Sequence, residues 1–165
     1  RERGIWYGSE TPHSVFAEVA YYRLVFLEGT EADLSPLMVE LSLFRVSIRT
    51  EHGIDLTAPP FDAWREVVSS KTDYSETQAL GHAMRDDGVE AFRYPSARDA
   101  RGGVNVAVFA ASAFAEKRPR GFQSWLCVAT REAVEFSVKE FVRRRPHRFE
   151  RAEFEVDGEL PAPAV

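Results

Sequence analysis

One carboxylate stands inside an otherwise apolar run: Glu18, in Val15-Phe16-Ala17-Glu18-Val19-Ala20-Tyr21-Tyr22. The run reads as a helix, and a carboxylate taken out of water is costly unless something compensates it. Arg23 is the next charge, and five residues along a helix place it on a different face. Such an acid is either a structural anchor or a working group, and spacing alone leaves both open. Two further positions could work beside it. Tyr7 closes Ile5-Trp6-Tyr7-Gly8, where Gly8 lets the backbone approach something closely. A tyrosine there can stack on a ring or donate a hydrogen bond; it can also be a core tyrosine. Ser96 follows Tyr94-Pro95, and the proline fixes the path out of a strand. That holds a hydroxyl at the strand's end, although Pro-Ser is also a common turn. Arg98 and Asn105 have milder claims. Arg98 either shares the side of Ser96 or pairs with Asp99 or Asp87, and Asn105 can bond the backbone of the Ser96 loop.

Other chemistries find no support. His13, His52, His82 and His147 lie in polar turns or helices with no obvious pairing, and no Gly-x-Ser-x-Gly elbow is present. Gly102-Gly103 is too short to cradle a phosphate, and no histidine pair has metal-ligand spacing. Cys127 is the only cysteine, so disulfide frameworks and multi-cysteine metal sites are excluded. Between Trp125, Leu126 and Val128 it reads as a small core residue. The net charge of −5 argues against nucleic-acid binding by the whole surface. The basic cluster Arg143-Arg144-Arg145 with Arg148 reads as a solvated strand flank. No apolar run approaches a membrane span of about 20 residues, and no secretory signal is present. The expectation is a cytoplasmic protein.

The elements that must position these residues form an α+β pattern, with helices mainly in the first half and strands in the second. At 165 residues the chain is expected to form a single domain over 1–165. Gly4–Ser9 is a strand. Thr11-Pro12-His13-Ser14 is a helix entry in which Thr11 or Ser14 caps, and the helix runs to about Phe26 before Gly29. Apolar residues occupy nearly every face of it, which predicts burial on several sides. Leu37–Ile48 alternates loosely as a strand but changes phase at Leu43-Phe44, which predicts a bulge or a bend between two strand segments. A short helix over Phe61–Val68 and a longer one over Ser75–Arg85, capped by Ser75, precede a strand at Val89–Tyr94. The turn Arg101-Gly102-Gly103 leads to Val104–Phe109, and strands follow at Phe122–Thr130, Val134–Val138 and Phe149–Val156. The chain opens Arg1-Glu2-Arg3, with no Met and an immediate strand, so residues are expected upstream in the parent protein.

Taken in order, Tyr7-Gly8, Ala17-Glu18, Tyr94-Pro95-Ser96-Ala97-Arg98 and Gly103-Val104-Asn105-Val106-Ala107-Val108-Phe109 resemble the RES domain family. That family supplies the toxin of many bacterial RES–Xre toxin–antitoxin pairs, and the resemblance runs from about residue 4 to about residue 130. It implies a mixed sheet flanked by helices, similar to NAD-dependent ADP-ribosyltransferase toxins. It also implies NAD+ as substrate, with no prosthetic group, and cleavage of the nicotinamide–ribose bond. Members differ in acceptor: phosphate, water or a protein. An Xre-type antitoxin is the implied partner. By motif, Glu18 takes the family's Glu position, Ser96 its Ser position, and Tyr7 that of the tyrosine lining the nicotinamide pocket. The family's Arg precedes the tyrosine strand. Arg3 and Arg1 are the candidates within this chain; the alternative is an arginine upstream of it. A mono-ADP-ribosyltransferase and an inactive RES-like binding domain are the competing readings.

These residue types suit that chemistry. Nicotinamide departs neutral from a cationic nitrogen, leaving an oxocarbenium-like ribose that needs a fixed negative neighbour rather than a strong acid. Glu18 would accept from a ribose hydroxyl and stabilise the developing charge. Ser96 would hydrogen-bond the nicotinamide amide or a phosphate oxygen, and Tyr7 would stack on the ring. Arg3, Arg98 or an upstream arginine would bind phosphate.

Overall fold

The computed structural model describes residues 4–32, 34, 36–139 and 145–162. Among them the elements run β1 (Trp6–Ser9), α1 (Pro12–Glu28), β2 (Leu37–Arg45), β3 (Gly53–Asp55), α2 (Arg65–Val68), α3 (Ser75–Asp86), β4 (Ala91–Pro95), β5 (Val104–Val108), β6 (Arg120–Ala129), β7 (Ala133–Val138) and β8 (His147–Glu150). The fold is α+β, with two four-stranded sheets in the orders β1-β5-β4-β3 and β2-β6-β7-β8. The first is mixed, because β3 pairs parallel to β4; the second is antiparallel throughout. No helix of the described residues is long and apolar enough to cross a membrane. Residue contacts divide the chain into two units: Arg1–Ser14 with Val46–Arg118, and Val15–Arg45 with Pro119–Val165.

The first unit holds the mixed sheet. Trp6 packs edge-on against Phe114, with ring centroids 5.4 Å apart, over a small core of Ala91, Val108 and Ala113. α3 begins where Asp73 Oδ1 accepts both the backbone N–H and the hydroxyl of Ser75. Ser75 is therefore not the cap: it is already the first helical residue, Tyr74 is the N-cap without a side-chain bond, and Asp73 accepts the first helical N–H. Met84 is buried as the inward-facing pattern predicts, whereas Ala83 is exposed. Gly88, at φ 78°, takes the chain out of the helix in a conformation that favours glycine. Helix entry at α1 is settled in favour of Thr11, whose Oγ1 accepts the Ser14 N–H at 3.1 Å while Pro12 occupies the first helical position.

The second unit holds most of α1 and the antiparallel sheet. Phe16, Ala17, Ala20, Tyr21, Leu24 and Leu27 are buried, a single stripe at helical spacing. Tyr22 and Phe26 are about half exposed, so α1 is buried along one face and not on several. The stripe joins Trp125, Cys127, Phe136, Phe149 and Phe154 in one core, and the Tyr21 hydroxyl donates to the Pro161 carbonyl at 2.7 Å. Phe16 stacks on Phe136, with centroids 4.6 Å apart. His147, expected in a polar setting, instead begins β8 and lies against Phe16 at 4.9 Å and Trp125 at 5.8 Å. The register of β2 against β6 shifts between Leu43 and Arg45, where the alternation of the sequence changes phase. Arg148 is exposed and bonds Glu150 on its own strand; Arg143 and Arg144 lie outside the described residues. Burial raises the Cys127 thiol above its ordinary range, as befits a core residue.

Phe136→Ala removes a fully buried ring from this core. It is expected to lower stability by about 3–5 kcal/mol in urea denaturation; a cost under about 1 kcal/mol would contradict the packing described.

Candidate functional site

The mixed sheet sorts its residues by alternation. Tyr7, Ala107 and Phe92 stand side by side across three strands, with Ser9, Asn105 and Tyr94 in the next row. Because opposite residues share a face, these six form one face of the sheet. The other face carries Trp6, Val108 and Ala91, then Gly8, Val106 and Arg93. Tyr7 and Asn105 are thus brought to the same face, and Ser96 follows immediately where β4 ends at Pro95. Phe92 lies 5.5 Å from Tyr94 and 5.2 Å from Phe109, so this face is lined with rings.

Tyr7 is 58% exposed, which leaves its ring open to a ligand. Its phenol titrates above the ordinary range: desolvation raises it, and the charge of Arg85 opposes that. The close approach that Gly8 permits is to Trp6 itself. A Cβ at Gly8 would collide with the Trp6 indole, so this glycine serves the fold and not a ligand. Asn105 is 3% exposed, and its Oδ1 accepts from the Ser9 hydroxyl at 2.6 Å. The amide is therefore held across the sheet by Ser9 of β1.

The segment from Ser96 to Gly103 is a turn bonded to itself. Ser96 Oγ accepts the backbone N–H groups of Arg98 and Asp99, each at 3.1 Å, and Ser96 N–H donates to Gly103 O at 2.9 Å. Asp99 Oδ1 accepts Arg101 N–H at 2.9 Å. Its other oxygen accepts from the fully buried Ser14 hydroxyl at 2.6 Å, which ties the turn to the first turn of α1. Thr11 Oγ1 lies 2.8 Å from Ser14 Oγ, completing the junction. Gly103 permits it: a Cβ there would fall inside van der Waals contact with Ser14 Oγ and Asp99 Oδ2. His13 Nε2 lies 3.6 Å from Asp99 Oδ1. The histidines are therefore not all without pairing, as the sequence suggests; His13 meets an aspartate far along the chain. This grouping of Ser14, Asp99 and His13 is no hydrolase triad, since the serine bonds the aspartate and not the histidine. Sequence spacing gave no sign of it, because its members lie 85 residues apart.

Arg98 is 6% exposed, and its Nη2 donates to the Tyr74 hydroxyl at 2.6 Å. Neither expected setting, on the side of Ser96 or paired with Asp99 or Asp87, includes this tyrosine. Arg3 lies outside the described residues. Glu18 belongs to the second unit, on α1, where it is half-buried and not in the dry setting its apolar neighbours suggest.

The RES domain family model matches residues 1–136. The chain belongs to the RES domain family. No curated protein matches it. Membership is consistent with a toxin-like, NAD+-related function. In this RES domain the matched span contains Tyr7, Glu18, Ser96, Arg98 and Asn105.

Gly103→Ala is expected to cost about 1–3 kcal/mol, since its methyl group must displace a buried, hydrogen-bonded pair. Thermal denaturation measures this; an unchanged melting temperature would show that the junction is looser than described.

Proposed function

We propose that this RES domain degrades NAD+ by cleaving the nicotinamide–ribose bond, with phosphate or water as acceptor. The observation that carries the reading is the ring-lined face of the mixed sheet. It presents the half-exposed Tyr7 on the face that also carries Asn105, and Ser96 follows directly at the end of β4. Family membership supplies the direction of the chemistry, and Glu18 takes its role by motif position.

Tyr7 stacks on the nicotinamide ring and fixes its plane. Ser96, whose oxygen is held by two backbone N–H groups, orients the carboxamide or a phosphate oxygen. The C–N bond breaks with its electron pair leaving on nicotinamide, which departs neutral. Positive charge then develops at the ribose carbon, and the Glu18 carboxylate stabilises it. A phosphate oxygen or a water oxygen completes the bond to that carbon; water then loses a proton to solvent. Half-burial suits Glu18, because excluding part of the water strengthens electrostatic interactions there. An Xre-type antitoxin is the partner this role requires.

The test follows nicotinamide release from NAD+, with and without phosphate. Release that depends on phosphate indicates phosphorolysis, and release without it indicates hydrolysis. Glu18→Ala is expected to lower the rate by about 10²–10³-fold, the scale of losing one preorganised electrostatic group. No release under either condition would sink the proposal. Labelled NAD+ that marks a lysate protein without free products would replace it with protein ADP-ribosylation.

A further inference from the structure

Away from the Tyr7 face, the helices of the first unit enclose an apolar depression of about 240 Å³. Phe61 and Trp64, from the 3₁₀ turn Phe61–Trp64, line it with Val67 of α2 and with Glu76, Thr77 and Leu80 of α3. A four-residue turn followed by a four-residue helix is too short to bury every apolar side chain it carries. Trp64 stays 62% exposed, and Phe61 and Val67 36% each. Thr77 donates its hydroxyl proton to the Tyr74 carbonyl at 2.9 Å. Glu76 is exposed and, among the described residues, has no hydrogen bond or ion pair. Its place in the first turn of α3 accounts for an acid there, but not for the rings that share its pocket.

The charge around this pocket has one sign. Glu76 supplies the charge of the lining, and Asp62 and Glu66 stand exposed on the two short elements beside it. Arg65, the cation of that segment, reaches elsewhere: its Nη2 lies 3.5 Å from where a Gly102 side chain would begin, at the turn after Ser96. An anion is therefore repelled, and an uncharged apolar molecule leaves the carboxylate unused. A divalent metal ion would need more oxygen ligands than one carboxylate and one hydroxyl. A cation that carries carbon around its charge meets both demands, because aromatic rings attract it through their quadrupole and a carboxylate adds Coulomb attraction. We propose that the pocket binds a small organic cation of the alkylammonium class, with Trp64 and Phe61 supplying the aromatic surface and Glu76 the countercharge. The pocket shares no residue with the Tyr7 face, and the inference is independent of the NAD+ reading.

The experiment measures calorimetric binding of choline and of its uncharged carbon analogue, 3,3-dimethylbutan-1-ol. The proteins are the unaltered chain, Trp64→Ala, Glu76→Gln and a charge control, Glu31→Gln, exposed in the second unit. Choline is expected to saturate the unaltered chain with a Kd of about 0.1–10 mM. The uncharged analogue should bind about tenfold more weakly, or less. Trp64→Ala should weaken choline by about tenfold and Glu76→Gln by about fivefold, while Glu31→Gln binds it like the parent. Both pocket residues are exposed, so melting temperatures should stay within about 3 °C of the parent. If Trp64→Ala falls further, Glu76→Gln decides. Equal affinity for the two probes, no saturation by choline up to about 50 mM, or parental affinity in Glu76→Gln overturns the inference.

Discussion

The buried carboxylate of Asp99 is the constraint on which the first unit's candidate face depends. A carboxylate this enclosed must be supplied with donors, and the chain supplies them from two directions: the hydroxyl of Ser14 and the backbone of Arg101. Satisfying that charge folds Ser96–Gly103 into a turn with one shape and fastens it to the start of α1. Gly103 is the complementary requirement, because any side chain there would occupy the space the hydrogen bond uses. Ser96 is held in place as a consequence. Its hydroxyl is fixed by the two N–H groups of the same turn, so the residue that motif comparison singles out is also a structural member of the loop.

The mixed sheet then divides labour between its faces. One packs Trp6, Val106, Val108 and Ala91 into a small core and neutralises Arg93 between Glu10 and Asp55. The other keeps rings and amides: Tyr7, Phe92, Tyr94 and Asn105, with Arg85 over Phe109 just beyond β5. Tyr7 is the exposed member of that face, and Asn105 its most enclosed. One stays open at the surface of the sheet, while the other braces β1 against β5 through Ser9.

What motif order foresaw and what it missed follow from the range of the interactions. Gly8 illustrates the limit: a glycine next to a candidate tyrosine suggests ligand approach, yet the space is taken by Trp6 two residues away. Glu18 illustrates another. Its neighbours in sequence are apolar, but a helix buries only one stripe, and membership of that stripe depends on what packs against it. For Arg98 the sequence offers the side of Ser96 or an aspartate, and the arginine donates to a tyrosine contributed from the segment before α3.

The amino-acid sequence alone determined the α+β class, the order of the helices and of the described strands other than β3, the irregularity in β2, the end of α1 and the family; the last strand, expected over Phe149–Val156, ends at Glu150. Each of these is written in local periodicity, in Gly and Pro, or in motif order over short stretches. Only the tertiary structure decided that Ser14 and His13 meet Asp99, that Tyr7 and Asn105 share a face, and that Arg85 lies over Phe109. Those depend on strand register and on how buried polar groups find donors across long separations. No local pattern encodes either, because a shift of one residue in register would move every side chain of a strand to the opposite face.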